Sequence, residues 1–572
     1  MIGMPVTDTA TFCATLVDEW VRSGVRHAVI APGSRSTPLA LALAERDELV
    51  VHLVHDERAA SFVALGIGVA DAVPAILLCT SGSAATHFHG AVVEADLGEV
   101  PMIVCTADRP PELRDTGAPQ TIDQTRLYGT AVRWFHDPGP PASPASVTWR
   151  AIAARSVAAS TGERPGPVHL NLPFREPLVG QAAALPEPVA PESLQIIRGR
   201  RTLAAEQIAS LVELLDRQRG VVVVGGGHGV RAAAADLHQL AAELGWPVLA
   251  DPRSGCRTGK AATVAAFDAI LRSREFADAH APEVVLRMGT LPASRVLAEW
   301  LDRSRAIQVQ VHASEAWLDP GQRLAVRVVA DPGAVARSLH GLMRGASGTP
   351  WSARWRRAEQ RAQAVIADRL AGDLTESGIA RTLTEVLPAG STLVVASSMP
   401  IRDVEWFGSP DQQPIVHANR GANGIDGTLA TATGLALASG EPTFVLVGDI
   451  ALLHDSTALV SITRRAVDLT IVAVDNDGGA IFSFLPQATV LSSGRFEELF
   501  GTPHGTDLAA LAAAHHLDYR RCTDLDELRT GLGAGSGGVR LLHLVTDRVR
   551  NVDDHRRVTD EIARSVENRS ST

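Results

Sequence analysis

Two short polar segments follow strongly apolar runs and could bind a divalent metal. Gly448-Asp449 ends the run TFVLV, and Asn476-Asp477-Gly478 ends the run LTIVAV. Such runs predict buried strands, and parallel strands bind ligands where their carboxyl ends meet at one edge of the sheet. A carboxylate, an amide oxygen and a loop carbonyl are hard oxygen donors that suit Mg²⁺, which commonly holds a diphosphate. Because these peptides are also common turns, two ordinary strand-end turns stay the alternative.

Glu57 is the second candidate for chemistry. It stands between the apolar run VVHLV and a helical pattern that begins at residues 56–58. A carboxylate at such a place commonly just stabilises the amino end of the helix. In an apolar setting, a charge-assisted hydrogen bond would instead let Glu57 take part in proton transfer. Taken by itself, the residue favours the helix cap.

The elements that must position these residues form an α/β protein. Short β-rich runs alternate with helical patterns through the whole chain, which predicts doubly wound parallel sheets in three domains of similar size. The predicted strands are 28–30, 50–54, 75–80, 101–106, 168–172, 220–224, 247–250, 284–287, 307–311, 392–396, 415–418, 443–447, 469–474 and 539–545. The predicted helices include 8–22, 37–44, 58–69, 84–96, 203–218 and 351–370.

Two segments without periodicity predict the domain boundaries. Residues 177–191 are rich in Pro and Ala, and residues 345–350 read GASGTP. Both compositions are typical of linkers. We therefore expect domains at 1–180, 192–345 and 351–555, followed by a polar, frayed tail at 556–572.

Composition argues against several functional classes. The chain of 572 residues has a net charge of −11 and only 4% aromatic residues, which argues against a general binder of nucleic acids or anionic membranes. No apolar run reaches the ~20 residues that span a bilayer. Lys260 is the only lysine among 53 basic residues, which a GC-rich genome would explain. Arginine nevertheless matters at an anion site, because a guanidinium binds a carboxylate through two hydrogen bonds.

The cysteines indicate a reducing compartment. Cys13, Cys79, Cys105, Cys256 and Cys522 are far apart and form no C-x-x-C motif. Neither a disulfide framework nor a zinc ribbon fits this pattern, so we expect buried free thiols. The amino terminus also lacks the basic and apolar segments of a secretory signal, and we expect a cytoplasmic protein.

In combination, the two candidate sites resemble those of the thiamine-diphosphate-dependent enzymes. Four further segments are similar to the 2-succinyl-5-enolpyruvyl-6-hydroxy-3-cyclohexene-1-carboxylate synthase family of menaquinone biosynthesis. They are APGSRSTPLALALAE (31–45), TADRPPEL (106–113), NRGANGIDG (419–427) and GGAIFSFLP (478–486). The resemblance covers both outer domains nearly end to end, and the central domain only weakly. It implies a pyrimidine-binding first domain and a diphosphate- and metal-binding third domain.

The resemblance also implies an activity. Such a transferase is a carboligase that decarboxylates 2-oxoglutarate and adds the succinyl-semialdehyde unit 1,4 to isochorismate. Thiamine diphosphate and Mg²⁺ or Mn²⁺ would be its cofactors. Glu57 and the metal site would meet across a subunit interface, so a homodimer or homotetramer is expected. An acetolactate synthase or another thiamine-dependent 2-oxoacid decarboxylase is the alternative, although this chain has Gly448-Asp449-Ile450 where such enzymes often have Gly-Asp-Gly.

The resemblance assigns roles at the cofactor. Glu57 would face the aminopyrimidine ring and favour its imino tautomer, and Ile425 would lie between the two rings and enforce a bent conformation. The metal ligands would be Asp449, Asn476 and Gly478. Gly448 and Ile481 complete the cofactor-binding set.

A second set would bind the two dianionic substrates or act in catalysis. By resemblance its polar members are Ser34, Arg35, Arg109, Gln120, Arg295, Ser398, Arg402 and Arg420, and its apolar wall is Ile481, Phe482 and Leu485. For any one arginine of so many, a surface salt bridge is the alternative. Pro119 and Ser294 depart from the family pattern at positions beside Gln120 and Arg295.

Overall fold

Three parallel sheets of six strands each form the framework of the computed structural model. It describes residues 5–188, 194, 196–343, 349–463, 465, 467–533 and 537–567. Every pairing between neighbouring strands is parallel, and helices connect the strands. The predicted architecture of three doubly wound α/β domains is therefore confirmed.

The first domain has the strand order β2-β1-β3-β4-β6-β5. Its strands are β1 (His27–Ile30), β2 (Val50–Leu53), β3 (Ala75–Cys79), β4 (Met102–Asp108), β5 (Trp134–His136) and β6 (Pro167–Pro173). Its helices are α1 (Asp8–Arg22), α2 (Thr37–Ala44), α3 (Glu57–Asp71), α4 (Ser83–Thr86), α5 (His89–Gly98) and α6 (Trp149–Ser160). Strands β3, β4 and β6 are buried along their whole length, and the sequence of β3, AILLC, is accordingly a continuous apolar run, whereas β6 includes the buried polar residues His169 and Asn171.

The central domain has the order β12-β11-β10-β7-β8-β9, the arrangement typical of dinucleotide-binding folds. Its strands are β7 (Gly220–Val224), β8 (Val248–Ala250), β9 (Thr263–Val264), β10 (Val284–Met288), β11 (Ile307–His312) and β12 (Leu324–Val329). Its helices are α7 (Ala205–Leu215), α8 (Ala234–Leu244), α9 (Phe267–Leu271), α10 (Arg274–Ala279), α11 (Arg295–Ser304) and α12 (Pro332–Leu339).

The third domain has the order β14-β13-β15-β16-β18-β17. Its strands are β13 (Thr392–Val395), β14 (Ile415–His417), β15 (Thr443–Gly448), β16 (Leu469–Asp475), β17 (Asp518–Arg521) and β18 (Val539–Val545). Its helices are α13 (Pro350–Arg369), α14 (Glu376–Val386), α15 (Met399–Phe407), α16 (Thr428–Ser439), α17 (Asp449–His454), α18 (Leu459–Ile462), α19 (Gln487–Val490), α20 (Ser493–Phe496), α21 (Leu508–Ala514), α22 (Leu525–Gly533) and α23 (Arg548–Glu567).

The two outer domains share one topology and pack through equivalent helices. In each sheet, numbered from its own first strand, the order is 2-1-3-4-6-5. Helices α3 and α16 both connect the second strand to the third, and they cross at close range. A Cβ on Gly66 would lie 2.0 Å from the Thr431 carbonyl oxygen, and one on Gly434 would lie 2.1 Å from the Val63 carbonyl oxygen. Only glycine permits this approach, which joins the cores of both domains.

Several predictions of local structure were wrong. The helix predicted at 84–96 is two helices, α4 and α5, because the backbone bonds at His87 and Phe88 change to the i→i+3 pattern. The tail predicted from residue 556 is helical as far as Glu567 in α23, and it buries Val558 and Ile562 against a core cluster that also contains α13 residues. Residues 568–572 of that tail, and residues 345–348 of the second linker, lie outside the described residues.

Two observations bear on the cysteines and on membranes. The five cysteines are buried free thiols, as predicted. Within the described ranges, no helix combines the length and the apolar character that crossing a membrane demands.

Candidate functional site

Four adjacent strands of the third domain present the predicted polar residues at their carboxyl ends. In spatial order these strands are β14, β13, β15 and β16. Arg420 follows β14, Ser398 precedes α15 after β13, Asp449 begins α17 directly after β15, and Asn476 follows β16. The parallel register of these strands brings the four ends to one edge of the sheet. This edge is where an open α/β sheet binds its ligand.

Asp449 is fixed by surrounding hydrogen-bond donors. Its side chain is buried, and Oδ2 accepts hydrogen bonds from the backbone N–H of Asn476 (3.2 Å) and Gly478 (2.9 Å). Oδ1 accepts the N–H of Ile450 at 2.7 Å. Burial raises the pKa of Asp449, while the N–H groups of Gly478 and Ile450 act in the opposite direction. The carboxylate is therefore held in one orientation at the first turn of α17, where a negative charge is favoured.

Asn476 contributes an oxygen without a partner. Its Nδ2 donates to Glu376 Oε1 at 2.9 Å, whereas its Oδ1 is buried and has no hydrogen-bond partner within the described part of the chain. A buried polar atom without a partner is costly, so an oxygen of this kind suits a ligand such as a cation. Gly478 has a φ of +142°, and a Cβ there would lie 2.0 Å from the Gly501 carbonyl oxygen. The turn that brings these atoms together therefore requires glycine.

His504 is a neighbour of this cluster that the sequence did not reveal. Its Nε2 lies 3.3 Å from Asp449 Oδ2, and its Nδ1 accepts the N–H of Thr506 at 2.9 Å. Asp449, Asp475 and His504 form a group whose ligand atoms lie within 4.8 Å of one another. The donors therefore fit a divalent cation. No motif distinguished His504 from the other 18 histidines of the chain.

The cationic side of this edge consists of Arg402 and Arg420. Arg402 donates to the carbonyl oxygen of Ser398 at 2.6 Å, and Ser398 adopts a φ of 75°. Burial, followed by the charges of Arg253 and Arg402, lowers the pKa of Arg420. Among the described residues, no ion pair involves Arg402 or Arg420. Two guanidinium groups without carboxylate partners at a ligand-binding edge suit an anionic ligand.

Glu94 of the first domain holds the loop that carries Arg420 and Ile425. Its buried carboxylate accepts the backbone N–H of Gly421 and of Ala422, each at 2.7 Å. Burial raises the pKa of Glu94, and these two donors act against that shift. Ile425 is half-buried and packs against the core shared by the outer domains. Sequence reasoning missed Glu94 because its bonds reach a different domain.

The three predicted apolar residues lie in or next to one turn. Ile481 and Phe482 belong to a 3₁₀ turn over Ala480–Phe484, which directly follows the loop of Asn476 and Gly478. The Phe482 ring lies 5.5 Å from the Phe500 ring. Leu485 follows the turn and is 37% exposed. These side chains thus provide an apolar surface beside the polar cluster.

A second group of predicted residues lies at the carboxyl ends of the first sheet. Thr80 Oγ1 accepts the backbone N–H of Arg35 (3.1 Å) and the side-chain amide of Gln120 (3.4 Å). Arg109 donates to the carbonyl oxygen of Pro119, the neighbour of Gln120, at 3.2 Å. The structure therefore brings Arg35, Arg109 and Gln120 together around one strand end.

Arg35 has partners of its own within this domain. Its guanidinium donates to the Phe174 carbonyl oxygen at 3.0 Å and lies 3.2 Å from a carboxylate oxygen of Glu176. Its Nε is buried without a partner. Ser34, the preceding residue, is exposed in the same loop.

Glu57 is the first residue of α3, as the sequence suggested. Asp56 precedes it and caps the helix by accepting the Ala59 N–H at 3.1 Å. Burial, and in second place the charge of Glu57, raises the pKa of the Cys79 thiol at the end of β3. Because Asp56 serves as the cap, the helix-cap interpretation of Glu57 loses its main support.

Arg295 differs from the other predicted residues in its exposure. It begins α11 of the central domain, its side chain is 86% exposed, and Nε bonds to Glu299 at 2.7 Å. The structure of one chain therefore places it at the surface. Ser294, which departs from the family pattern, caps α11 and bonds to Asp268 at 2.5 Å.

A cavity of about 990 Å³ lies where the three domains meet. Arg420, Arg231 and Arg253 line it together with Glu94 and His312. Arg253 is paired with Asp251, whereas Arg231 donates to the backbone carbonyl of Val416 at 2.7 Å. Arg420 therefore lies between the carboxyl-end edge of the third sheet and this cavity.

Three family models match the chain in order. "Thiamine pyrophosphate enzyme, N-terminal TPP binding domain" matches residues 11–127. "Middle domain of thiamine pyrophosphate" matches residues 197–395, and "Thiamine pyrophosphate enzyme, C-terminal TPP binding domain" matches residues 407–541. The first match contains β1–β4, the middle match contains β7–β12 and also β13 of the third sheet, and the last match contains β14–β17.

Curated relatives match almost the full chain. Proteins named 2-succinyl-5-enolpyruvyl-6-hydroxy-3-cyclohexene-1-carboxylate synthase from Chloroflexus aurantiacus and Myxococcus xanthus are each 42% identical to it. The alignments cover 95% of both chains in the first case, and 96% of this chain and 97% of the relative in the second. The synthase of that name from Geobacillus thermodenitrificans is 40% identical over 98% of both chains.

Proposed function

The chain belongs to the thiamine-diphosphate-dependent 2-succinyl-5-enolpyruvyl-6-hydroxy-3-cyclohexene-1-carboxylate synthase family, and on that premise we propose its reaction. It is a carboligase that decarboxylates 2-oxoglutarate and joins the remaining four-carbon unit to isochorismate by 1,4-addition. The product is the compound in the family name, an intermediate of menaquinone biosynthesis. The observation that carries this proposal is the carboxyl-end edge of the third sheet. Asp449 and Asn476 lie at this edge together with Arg402 and Arg420, which form no ion pair with a carboxylate among the residues that the structure describes.

A divalent cation, Mg²⁺ or Mn²⁺, is held by Asp449, Asn476 and the carbonyl oxygen of Gly478. The free Asn476 Oδ1 and the fixed Asp449 carboxylate support this assignment. Both are hard oxygen donors, which these cations prefer. His504 Nε2 lies beside these donors, 3.3 Å from Asp449 Oδ2.

Thiamine diphosphate, when bound, supplies the nucleophilic carbon and the electron sink for decarboxylation. Gly448, Ile481 and Ile425 would line the site that holds it, and Glu94 holds the loop that carries Ile425. Glu57 would face the aminopyrimidine ring and hold the proton exchanged with it, since a positioned carboxylate forms a strong charge-assisted hydrogen bond.

The arginines orient two dicarboxylate substrates. Arg402 and Arg420, with Ser398, bind carboxylates at the third sheet, and Phe482 and Leu485 form the apolar wall. Ser34, Arg35, Arg109 and Gln120 bind isochorismate carboxylates at the first sheet. Bidentate guanidinium pairs hold the reacting carbons in fixed positions, which is the main contribution of a protein to a two-substrate addition.

The complete site lies between subunits of a homo-oligomer. The first-sheet group in one chain has its contacts within its own domain, and Arg295 faces outward. A partner subunit would bring Glu57, Arg35, Arg109 and Gln120 to the metal edge of the neighbouring chain. Exposed Arg295 would then gain a substrate carboxylate in place of solvent.

An assay of the purified protein tests this function. With thiamine diphosphate, Mg²⁺, 2-oxoglutarate and isochorismate, mass spectrometry should detect the succinylated cyclohexene product. Replacing 2-oxoglutarate with pyruvate serves as the control for acetolactate-type chemistry. Faster turnover of pyruvate than of 2-oxoglutarate would overturn the named reaction, while leaving the thiamine-dependent family unaffected.

A further inference from the structure

The side-chain amide of Asn476 has two ends with opposite environments. Nδ2 donates to Glu376 Oε1 at 2.9 Å, and Oδ1 is buried and has no hydrogen-bond partner among the residues the structure describes. Oε1 of Glu376 is the acceptor of this bond, so the NH₂ end of the amide faces Glu376. The oxygen is thereby turned away from Glu376, and the backbone N–H of the same residue donates to Asp449 Oδ2 at 3.2 Å.

Glu376 is itself held in place. It is the first residue of α14, it is 4% exposed, and Thr375 before it caps the helix. The hydroxyl of Thr546 donates to the same Oε1 at 3.1 Å. Two donors thus converge on one carboxylate oxygen, which leaves little freedom for it to turn. Thr546 follows the last strand of the sheet, so three separate segments meet at this bond.

We propose that Glu376 is a positioning residue that orients the Asn476 amide so that its oxygen, and not its nitrogen, faces the cation. This inference rests on the metal site of the proposed function. An amide without such a partner can rotate by half a turn, and its NH₂ group would then repel a divalent ion. A buried carboxylate is costly to maintain, and orientation of a ligand is a role that offsets this cost.

The variant E376A tests the role through metal affinity. Binding of Mn²⁺ is measured by electron paramagnetic resonance, with and without thiamine diphosphate. Partners that orient metal ligands typically contribute about 10–100-fold to affinity, and a loss of that size is expected. The control is E359A, which removes another buried glutamate that accepts the Ala266 N–H at 3.1 Å. This control should keep wild-type Mn²⁺ affinity.

A pair of variants tests the direction of the bond. N476D places two carboxylates against each other, so Mn²⁺ affinity should fall although aspartate is a good ligand in general. The double variant N476D/E376Q restores one donor and one acceptor and should recover at least tenfold of that loss. If E376A does not fold, this pair of variants still tests the orienting role of Glu376.

The possible outcomes distinguish failure of the proposed metal site from failure of the role proposed for Glu376. Wild-type protein without Mn²⁺-dependent binding of thiamine diphosphate would contradict the proposed metal site. Wild-type binding together with unchanged affinity in folded E376A, or no recovery in N476D/E376Q, would overturn the role of Glu376 alone.

Discussion

Glu94 of the first domain and Gly421 of the third are joined by a hydrogen bond of 2.7 Å, from the Gly421 backbone N–H to the Glu94 carboxylate. The second carboxylate oxygen accepts the N–H of Ala422 at the same distance. Arg420 precedes this pair of N–H groups and Ile425 follows them. The position of the proposed substrate-binding and cofactor-binding side chains on this loop is therefore set by a different domain.

Replacing Glu94 with Ala should lower kcat/KM by tenfold or more. Each hydrogen bond to a buried charge is worth about 1.5–3 kcal/mol, and without both bonds the loop gains alternative positions. Steady-state kinetics with both substrates measure the effect. E94Q keeps one acceptor and should fall between E94A and the wild type. Wild-type kinetics in E94A would show that the loop does not depend on this carboxylate.

Asp449→Ala should abolish Mg²⁺-dependent binding of thiamine diphosphate. The carboxylate is the one full negative charge among the proposed ligands, and the N–H groups of Gly478 and Asn476 lose their acceptor with it. Calorimetric titration of the cofactor in the presence of Mg²⁺ measures the loss. D449N retains the shape of the side chain without its charge and should bind weakly. Unchanged affinity in D449A would end the assignment of the metal site.

Glu57→Gln should keep the fold and most of the cofactor affinity but lose turnover. The amide has nearly the same shape, yet it cannot stabilise a protonated pyrimidine. Positioned acid–base groups contribute about 10²–10⁴-fold, and a loss in that range is expected. Hydrogen–deuterium exchange at C2 of bound thiamine diphosphate gives a direct readout. Exchange at the wild-type rate would contradict the role of Glu57 in activation.

Arg109→Ala should impair the use of isochorismate far more than the decarboxylation of 2-oxoglutarate. Arg109 belongs to the first-sheet group with Arg35 and Gln120, to which the isochorismate carboxylates are assigned. Consumption of 2-oxoglutarate with an artificial electron acceptor is compared with formation of the joined product. The control is R175A, which removes an exposed arginine paired with Glu112. An equal loss in both assays would show that Arg109 does not distinguish the substrates.

Asp455 should make stability depend on pH. Burial raises its pKa to about 7 from an ordinary value of 3.8, while the N–H of Ala430 opposes the shift. Folding thus favours the protonated form, so the stabilisation is complete below about pH 4 and is lost as pH rises through 7. D455N, which stays neutral, should lose less thermal stability than the wild type between pH 5 and 8. The exposed D518N should follow the wild type, and identical profiles for all three proteins would refute the prediction.

The sequence determined the fold class because periodic patterns report local structure directly. Helices α1 and α2 and strands β7 and β18 begin and end where the patterns predicted. The sequence patterns did not predict short or half-exposed strands such as β5, β9, β12 and β17, because a continuous apolar run appears only where both faces of a strand are buried. The tail at 556–567 was misjudged because its polar composition hid the few residues that α23 packs inward.

The sequence by itself also determined which residues end the strands of the site, and hence Asp449, Asn476 and Arg420. Only the tertiary structure decided what holds them. Glu94 reaches Gly421 across 327 positions and Glu376 reaches Asn476 across 100, and His504 joins Asp449 from a separate loop. Contacts of this kind produce no periodic pattern in the sequence, because they depend on how domains and segments pack and not on the local pattern of side chains. The same reason explains why Arg295 matched a motif and yet lies at the surface of the single chain.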